Sequence, residues 1–185
     1  MWRDCLTGDF NMAMPKQKPG RSKQNYRTPK NLFTAILQHL GISEFKHDFA
    51  ADRFNTKAKK FWTMRDDSLV QRASLWVLAC RMGWGWLNPP FGKIRPWAAK
   101  CLAVHKRGGK IALLVPASVG SNWYRDYIHE QPGVQVTFLN GRPCFDGKAG
   151  FPKDVMLVLF TGNTNPFNTN VFAPEVWSWK ESASE

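Results

Sequence analysis

The sequence predicts an α/β fold with a mostly parallel sheet and an antiparallel hairpin at its edge. Three observations predict it. Helical and strand-like apolar periodicities alternate as far as Pro116. Residues 110–115 form a nearly continuous apolar run, the pattern of a strand buried on both faces. Beyond them, residues 134–139 and 154–160 read as two strands separated by a turn-rich loop with little helix between them. The chain has 185 residues, 43% hydrophobic and 14% aromatic, which suits a single folded core and is too apolar for a disordered chain.

Residues 1–25 are rich in Lys, Gln, Gly, Ser and Pro from about Met14 and read as a flexible basic arm; the domain is expected over residues 26–175, with a tail at 176–185. Thr28 suits an N-cap and Pro29 the first helical position. Leu32, Phe33, Ile36, Leu37 and Leu40 then repeat at helical spacing until Gly41. Residues 45–50 are a strand candidate running into a polar turn, and residues 60–64 are another, ended by Asp66 and Asp67. A helix is expected over residues 68–81, stopped near Gly83, followed by a strand over 84–87. A further helix starts near Pro96 and closes at Gly108 and Gly109; residues 122–129 look helical.

Lys and Arg number 26 against 14 acids, a net charge of +12, which favours a polyanionic partner through release of its counterions. The charge is unevenly spread. No acid lies between Asp67 and Asp126, a stretch that holds Lys93 and Arg95, and none lies between Phe10 and Ser43, where Lys16, Lys18, Arg21 and Lys23 fall. These six are the candidate nucleic-acid contacts. The four cysteines and four histidines show no metal-ligand spacing, so no metal is expected. No apolar run approaches the length of a membrane span, and Asp4 and Asp9 interrupt any secretory signal pattern, so the chain is expected in the cytoplasm.

The tetrapeptide Asn88-Pro89-Pro90-Phe91 follows directly on the 84–87 strand, where ligands of open α/β sheets bind. Two prolines stiffen the turn and remove two backbone donors, leaving carbonyls as acceptors. The Asn88 side chain adds one acceptor and two donors. An exocyclic amino group could donate one hydrogen to Asn88 and one to the Pro89 carbonyl, while Phe91 offers a face for its ring. Such a pocket suits methyl transfer to a planar nitrogen, in which orientation carries the reaction and no Ser, Cys or His nucleophile is needed.

With this tetrapeptide, the sequence resembles the small phage and prophage DNA N6-adenine methyltransferases of the Dam-like group. The resemblance runs from about Tyr26 to Phe160. It includes the Thr28-Pro29 pair ahead of Asn31-Leu32-Phe33, His47-Asp48-Phe49-Ala50-Ala51-Asp52, Phe61-Trp62-Thr63, Asp67-Ser68-Leu69, Trp97 with Lys100, and Gly141-Arg142 with Phe145. It implies a Rossmann-like, S-adenosylmethionine-dependent methyltransferase that flips adenine out of DNA into the pocket, in a bacterial host cell if the origin is phage or prophage. Thr28 and Pro29 would then contact the methionine end of the cofactor, Asp48 would lie in the cofactor motif, and Asp66 or Asp67 would bind its ribose or adenine. Independently, the cofactor's hydroxyls and ammonium need acceptors, and upstream of the tetrapeptide the only acids inside the fold are Glu44, Asp48, Asp52, Asp66 and Asp67. A G-x-G loop is absent, and the short span from Asp48 to Asn88 implies a sheet lacking one strand-helix unit; Phe91 stands where Tyr is commoner.

The tetrapeptide reads only a planar group carrying NH2. RNA adenine, cytosine N4 or a glutamine side chain are therefore alternative acceptors, and a silent nucleic-acid-binding protein is the alternative outside enzymes. Of nine tryptophans, Trp76 and Trp97 read as core, whereas Trp84, Trp86 and Trp123 are placed near the site to stack on a base; Trp177 and Trp179 have no assigned role.

Overall fold

The computed structural model describes residues 26–145, 151–162 and 169–180. The basic arm, with Lys16, Lys18, Arg21 and Lys23, lies outside them. Within them, helices α1 (Lys30–His39), α2 (Ala73–Ala79), α3 (Ile94–His105) and α4 (Asn122–Tyr127) accompany strands β1 (His47–Asp48), β2 (Trp84–Leu87), β3 (Lys110–Pro116), β4 (Val134–Leu139), β5 (Val155–Phe160) and β6 (Glu175–Trp177). The sheet order is β1-β2-β3-β5-β4-β6. Strands β1, β2 and β3 are parallel, β5 is antiparallel to both β3 and β4, and β6 is parallel to β4. The fold is thus a mixed α/β sheet, mostly parallel. The expected hairpin is β4 with β5, but β6 lies outside it and forms the edge.

The central strands explain the apolar runs. On β3, Ile111, Leu113 and Val115 face one layer with Ala98, Cys101 and Leu102 of α3, while Ala112 and Leu114 face the other with Leu32, Ala35 and Ile36 of α1. Strand β5 repeats the alternation, with Met156, Val158 and Phe160 on the α3 side and Val155, Leu157 and Leu159 on the α1 side. Burying each large side chain contributes about 1.5–3 kcal/mol, so two filled layers hold the sheet rigid beneath its ends. The buried His105 ring ties helix to sheet: Nε2 donates to the Pro132 carbonyl at 2.9 Å and Nδ1 accepts from the Gly162 N–H at 3.0 Å.

Four local expectations are corrected. Thr28 does not cap α1; Pro29 occupies that position, with the chain extended at φ −56°, ψ 145°. The strand expected at 60–64 shrinks to a single bridge between Phe61 and Asp48, because the Thr63–Asp66 turn takes the chain away. The helix expected at 68–81 begins only at Ala73: Asp67 has φ 41°, its carboxylate accepts from the Leu69 N–H, and the Ser68 hydroxyl donates to the Phe49 carbonyl at 2.5 Å. The sequence pattern does not predict the last strand. β6 carries Trp177 onto the ring of His39, with centroids 4.3 Å apart, and Trp179 is buried, donating from Nε1 to the Gly141 carbonyl at 2.9 Å. Between β1 and β2 the described residues contain α2 and no further named strand, in keeping with a shortened sheet.

Candidate active site

Strands β1 and β2 end side by side, Asp48 opposite Trp86, and the Phe49 N–H donates to the Trp86 carbonyl at 3.0 Å. The loop after β1 and the tetrapeptide after β2 therefore leave the sheet at the same end. A cleft of about 1490 Å³ opens there, lined among others by Tyr26, Phe49, Asp52, Asp66, Asp67, Asn88, Pro90, Trp97 and Phe145. Its volume exceeds the roughly 300–1,000 Å³ of an ordinary small-molecule pocket, leaving room for two organic molecules together.

Asp48 shapes one wall. Its carboxylate is buried, accepting from the Ala50 N–H at 3.2 Å and the Lys57 N–H at 2.9 Å, so it gathers both ends of the loop between them. Burial pushes its pKa up to about 6 against the pull of those two hydrogen bonds. The next wall is the 63–68 turn. Asp66 accepts on Oδ2 from the Thr63 N–H at 2.7 Å and hydroxyl at 2.8 Å, which hold its carboxyl below the ordinary range. Asp66 and Asp67 are both exposed on the cleft. Behind them Phe49 stacks on Trp76 at 3.9 Å and 8°, while Gly85 on β2 leaves room for the Phe49 ring: a Cβ there would meet Phe49 Cε2 at 2.4 Å and the Cys80 sulfur at 2.6 Å.

At the tetrapeptide, the Asn88 amide nitrogen donates to the Tyr26 carbonyl at 2.8 Å and to the Thr28 hydroxyl at 3.0 Å. The Tyr26 carbonyl can only accept, so the amide nitrogen must face it. The Asn88 carbonyl oxygen is then left buried with no hydrogen-bond partner. Phe91 lies in an aromatic group, stacked on Tyr26 at 5.4 Å and 25° and edge-on to Phe145 and Phe151.

A family model for "DNA N-6-adenine-methyltransferase (Dam)" matches residues 16–166. The chain belongs to the Dam family. No curated protein matches the sequence. Among solved structures it is similar to a predicted O-methyltransferase from Agrobacterium tumefaciens, at 15% identity and a TM-score of 0.37, covering 70% of this chain and 78% of that one.

In this Dam-family chain the sequence-assigned residues separate into two groups. Asn88, Pro90, Asp66 and Asp67 meet at the cleft, with Phe91 beside it through Tyr26 and Phe145. Thr28, Pro29, Pro89 and Asp48 are not among the lining residues: Thr28 is turned to Asn88 and Asp48 to the backbone of its loop. Lys93 and Arg95 are exposed outside the lining, and Arg95 reaches Asp126 at 3.4 Å. The tryptophan assignments change. Trp86 is buried in the α1-side core, and Trp84 begins β2, at the strand end away from the tetrapeptide, so neither can stack on a base there. Trp97, read as core, packs on the α3-side core and also lines the cleft. Sequence reasoning missed Tyr26 and Ser68; each lies within a short motif, yet the roles arise from contacts across the chain. Among the described residues no metal-holding group of His, Cys, Asp and Glu occurs, and no helix is long and apolar enough to cross a membrane.

Proposed function

We propose that this Dam-family protein transfers a methyl group from S-adenosylmethionine to N6 of adenine in DNA, the base being flipped out of the duplex into the cleft. The observation that carries the reading is the Asn88 side chain. Its two amide hydrogens are already taken, and its oxygen is buried without a partner. A buried acceptor left unsatisfied costs about 1–3 kcal/mol, and such a group in an otherwise well-bonded turn points to a ligand that completes it. An exocyclic NH2 is that ligand: it donates one hydrogen to Asn88 Oδ1 and the other to the Pro89 carbonyl. Holding both hydrogens in the plane of the turn presents the nitrogen's out-of-plane electron density to the methyl donor, so positioning and electrostatics lower the barrier.

The cleft also fits the cofactor. Asp66 and Asp67 offer exposed carboxylate oxygens for hydroxyl or ammonium donors, and Phe49 and Trp97 offer apolar surface. Bound S-adenosylmethionine would supply an electrophilic methyl on a sulfonium whose departure as a neutral thioether requires no nucleophilic side chain, and the proton that the methylated nitrogen gives up would pass to water. Duplex DNA would be held by the basic residues at Lys93 and Arg95 and by the arm at Lys16, Lys18, Arg21 and Lys23. The reaction would run in the cytoplasm, that of a bacterial host cell if the origin is phage or prophage. The test is transfer of labelled methyl to duplex DNA, RNA and protein, followed by digestion of the product to nucleosides. Label in N6-methyl-2′-deoxyadenosine from DNA is expected; label confined to RNA, to N4-methyl-2′-deoxycytidine or to glutamine overturns the acceptor, and binding without transfer overturns the enzyme.

A further inference from the structure

We propose that Thr28 is a positioning residue for methyl transfer: its buried hydroxyl, together with the Tyr26 carbonyl, fixes the rotation of the Asn88 amide so that only the oxygen is presented to the target amine. The inference rests on the function proposed above and assigns Thr28 to the acceptor side of the site, whereas the family resemblance assigns it to the cofactor.

Two hydrogen bonds define the amide plane where one would define only a point. The Tyr26 carbonyl, at 2.8 Å, selects nitrogen over oxygen; the Thr28 hydroxyl, at 3.0 Å, stops the amide from swivelling about that first bond. Water cannot replace the hydroxyl easily, because Thr28 is only 4% exposed. The backbone beneath it is equally constrained. Pro29 restricts the residue before it to extended conformations, and the Pro29 carbonyl accepts from the Phe33 N–H at 3.0 Å as α1 begins. Helix α1 is in turn fixed by Leu32, Ala35 and Ile36, which are fully buried. The Thr-Pro pair thus transfers the rigidity of a packed helix to a side chain sixty positions away in sequence. A swivelled amide would present N–H to N–H, a repulsive pairing with any NH2 acceptor.

The experiment uses the full chain and four variants, Thr28→Val, Thr28→Ser, Asn88→Ala and the Thr28→Val/Asn88→Ala double variant, with kcat and KM measured on unmethylated plasmid DNA and S-adenosylhomocysteine affinity measured by calorimetry. Thr28→Val keeps the shape and removes the hydroxyl. It is expected to lower kcat about tenfold or more with S-adenosylhomocysteine affinity within about twofold, as for an interaction needed in the transition state and not in cofactor binding. Thr28→Ser should recover most of the rate, and Thr28→Val should add nothing in the Asn88→Ala background, since two residues acting as one unit are non-additive. Wild-type kcat in Thr28→Val overturns the inference, as does a loss of S-adenosylhomocysteine affinity matching the loss of rate, which would make Thr28 a cofactor ligand. If Thr28→Val is too unstable to assay, Thr28→Ser decides: near-wild-type rate supports the inference and a rate as low as Asn88→Ala overturns it. An inactive wild type overturns the proposed function itself, and so is told apart from failure of this inference alone.

Discussion

Replacing Asn88 with alanine should separate catalysis from stability, because the side chain contributes to folding with opposite signs. It makes two hydrogen bonds through its nitrogen, each worth about 0.5–1.5 kcal/mol net, so their loss costs about 1–3 kcal/mol. The same substitution deletes a buried oxygen that lacks any partner, relieving a penalty of similar size, about 1–3 kcal/mol. The two terms nearly cancel. At about 2–4 °C per kcal/mol for a chain of this size, Tm should move by no more than a few degrees. Turnover has no such compensation. Losing one preorganised partner of the reacting group costs roughly 100- to 1,000-fold in kcat. The assay is a melting curve beside labelled-methyl transfer at saturating DNA and cofactor. A kcat within a few-fold of wild type would refute the role of Asn88. A fall in Tm of about 10 °C with proportionate loss of activity would instead make the tetrapeptide a rigid turn, its oxygen carrying no penalty to relieve.

Other outcomes follow from the neighbouring groups. Burial lowers the His47 pKa to about 4 and raises that of Asp48 to about 6. His47 therefore supports stability above its unfolded value near 6.5 and loses that support as pH falls through 4, while Asp48 supports stability below its unfolded value near 3.8 and loses it as pH rises through 6. Between these limits the slopes oppose, so Asp48→Asn should make stability fall more steeply on acidification, by up to about 1.4 kcal/mol per pH unit; denaturant titrations at stepped pH that run parallel to wild type would disprove it. Gly85→Ala forces a methyl group against Phe49 and Cys80 and should destabilise by about 1–3 kcal/mol or more, distorting the cleft wall and weakening S-adenosylhomocysteine binding; an unchanged Tm would contradict the packing. Deleting residues 1–24 should flatten the salt dependence of DNA binding by about 0.9 in slope for each phosphate the arm neutralises, with kcat at saturating DNA retained; an identical slope would leave phosphate binding to Lys93 and Arg95.

Much of this was legible in the sequence where one physical signal dominated. Apolar patterning placed β3, β4 and β5 almost to the residue: β3 and β5 are short runs buried on both faces, while β4 is a mixture of buried and half-buried positions bounded by turns. Two prolines and a preceding strand located the tetrapeptide at a sheet end. Some of the failures lie in local turns, such as Thr63–Asp66, and the rest in contacts distant in sequence. Ser68 looked like a helix start, yet its hydroxyl is held by Phe49, and Thr28 looked like a cap, yet its hydroxyl is held by Asn88. Strand β6 is short, its burial is partial, and it is ordered by pairing with β4, so no local period announces it.

The Tyr26 ring resting on Phe91 changes what stacking can do at this site. An open aromatic face would attract any base, at about 1–3 kcal/mol each, and so would hold thymine or guanine as readily as the target. Here a base reaching for that face must exchange with a tyrosine already on it, with Phe145 and Phe151 closing the ring's edges. One stack is surrendered as another forms, and the generic attraction largely drops out of the balance. On the proposed reading, what would remain is the pair of acceptors, Asn88 Oδ1 and the Pro89 carbonyl, which favour a base that carries NH2 over thymine, so discrimination would rest on hydrogen bonds because the aromatic face is already filled.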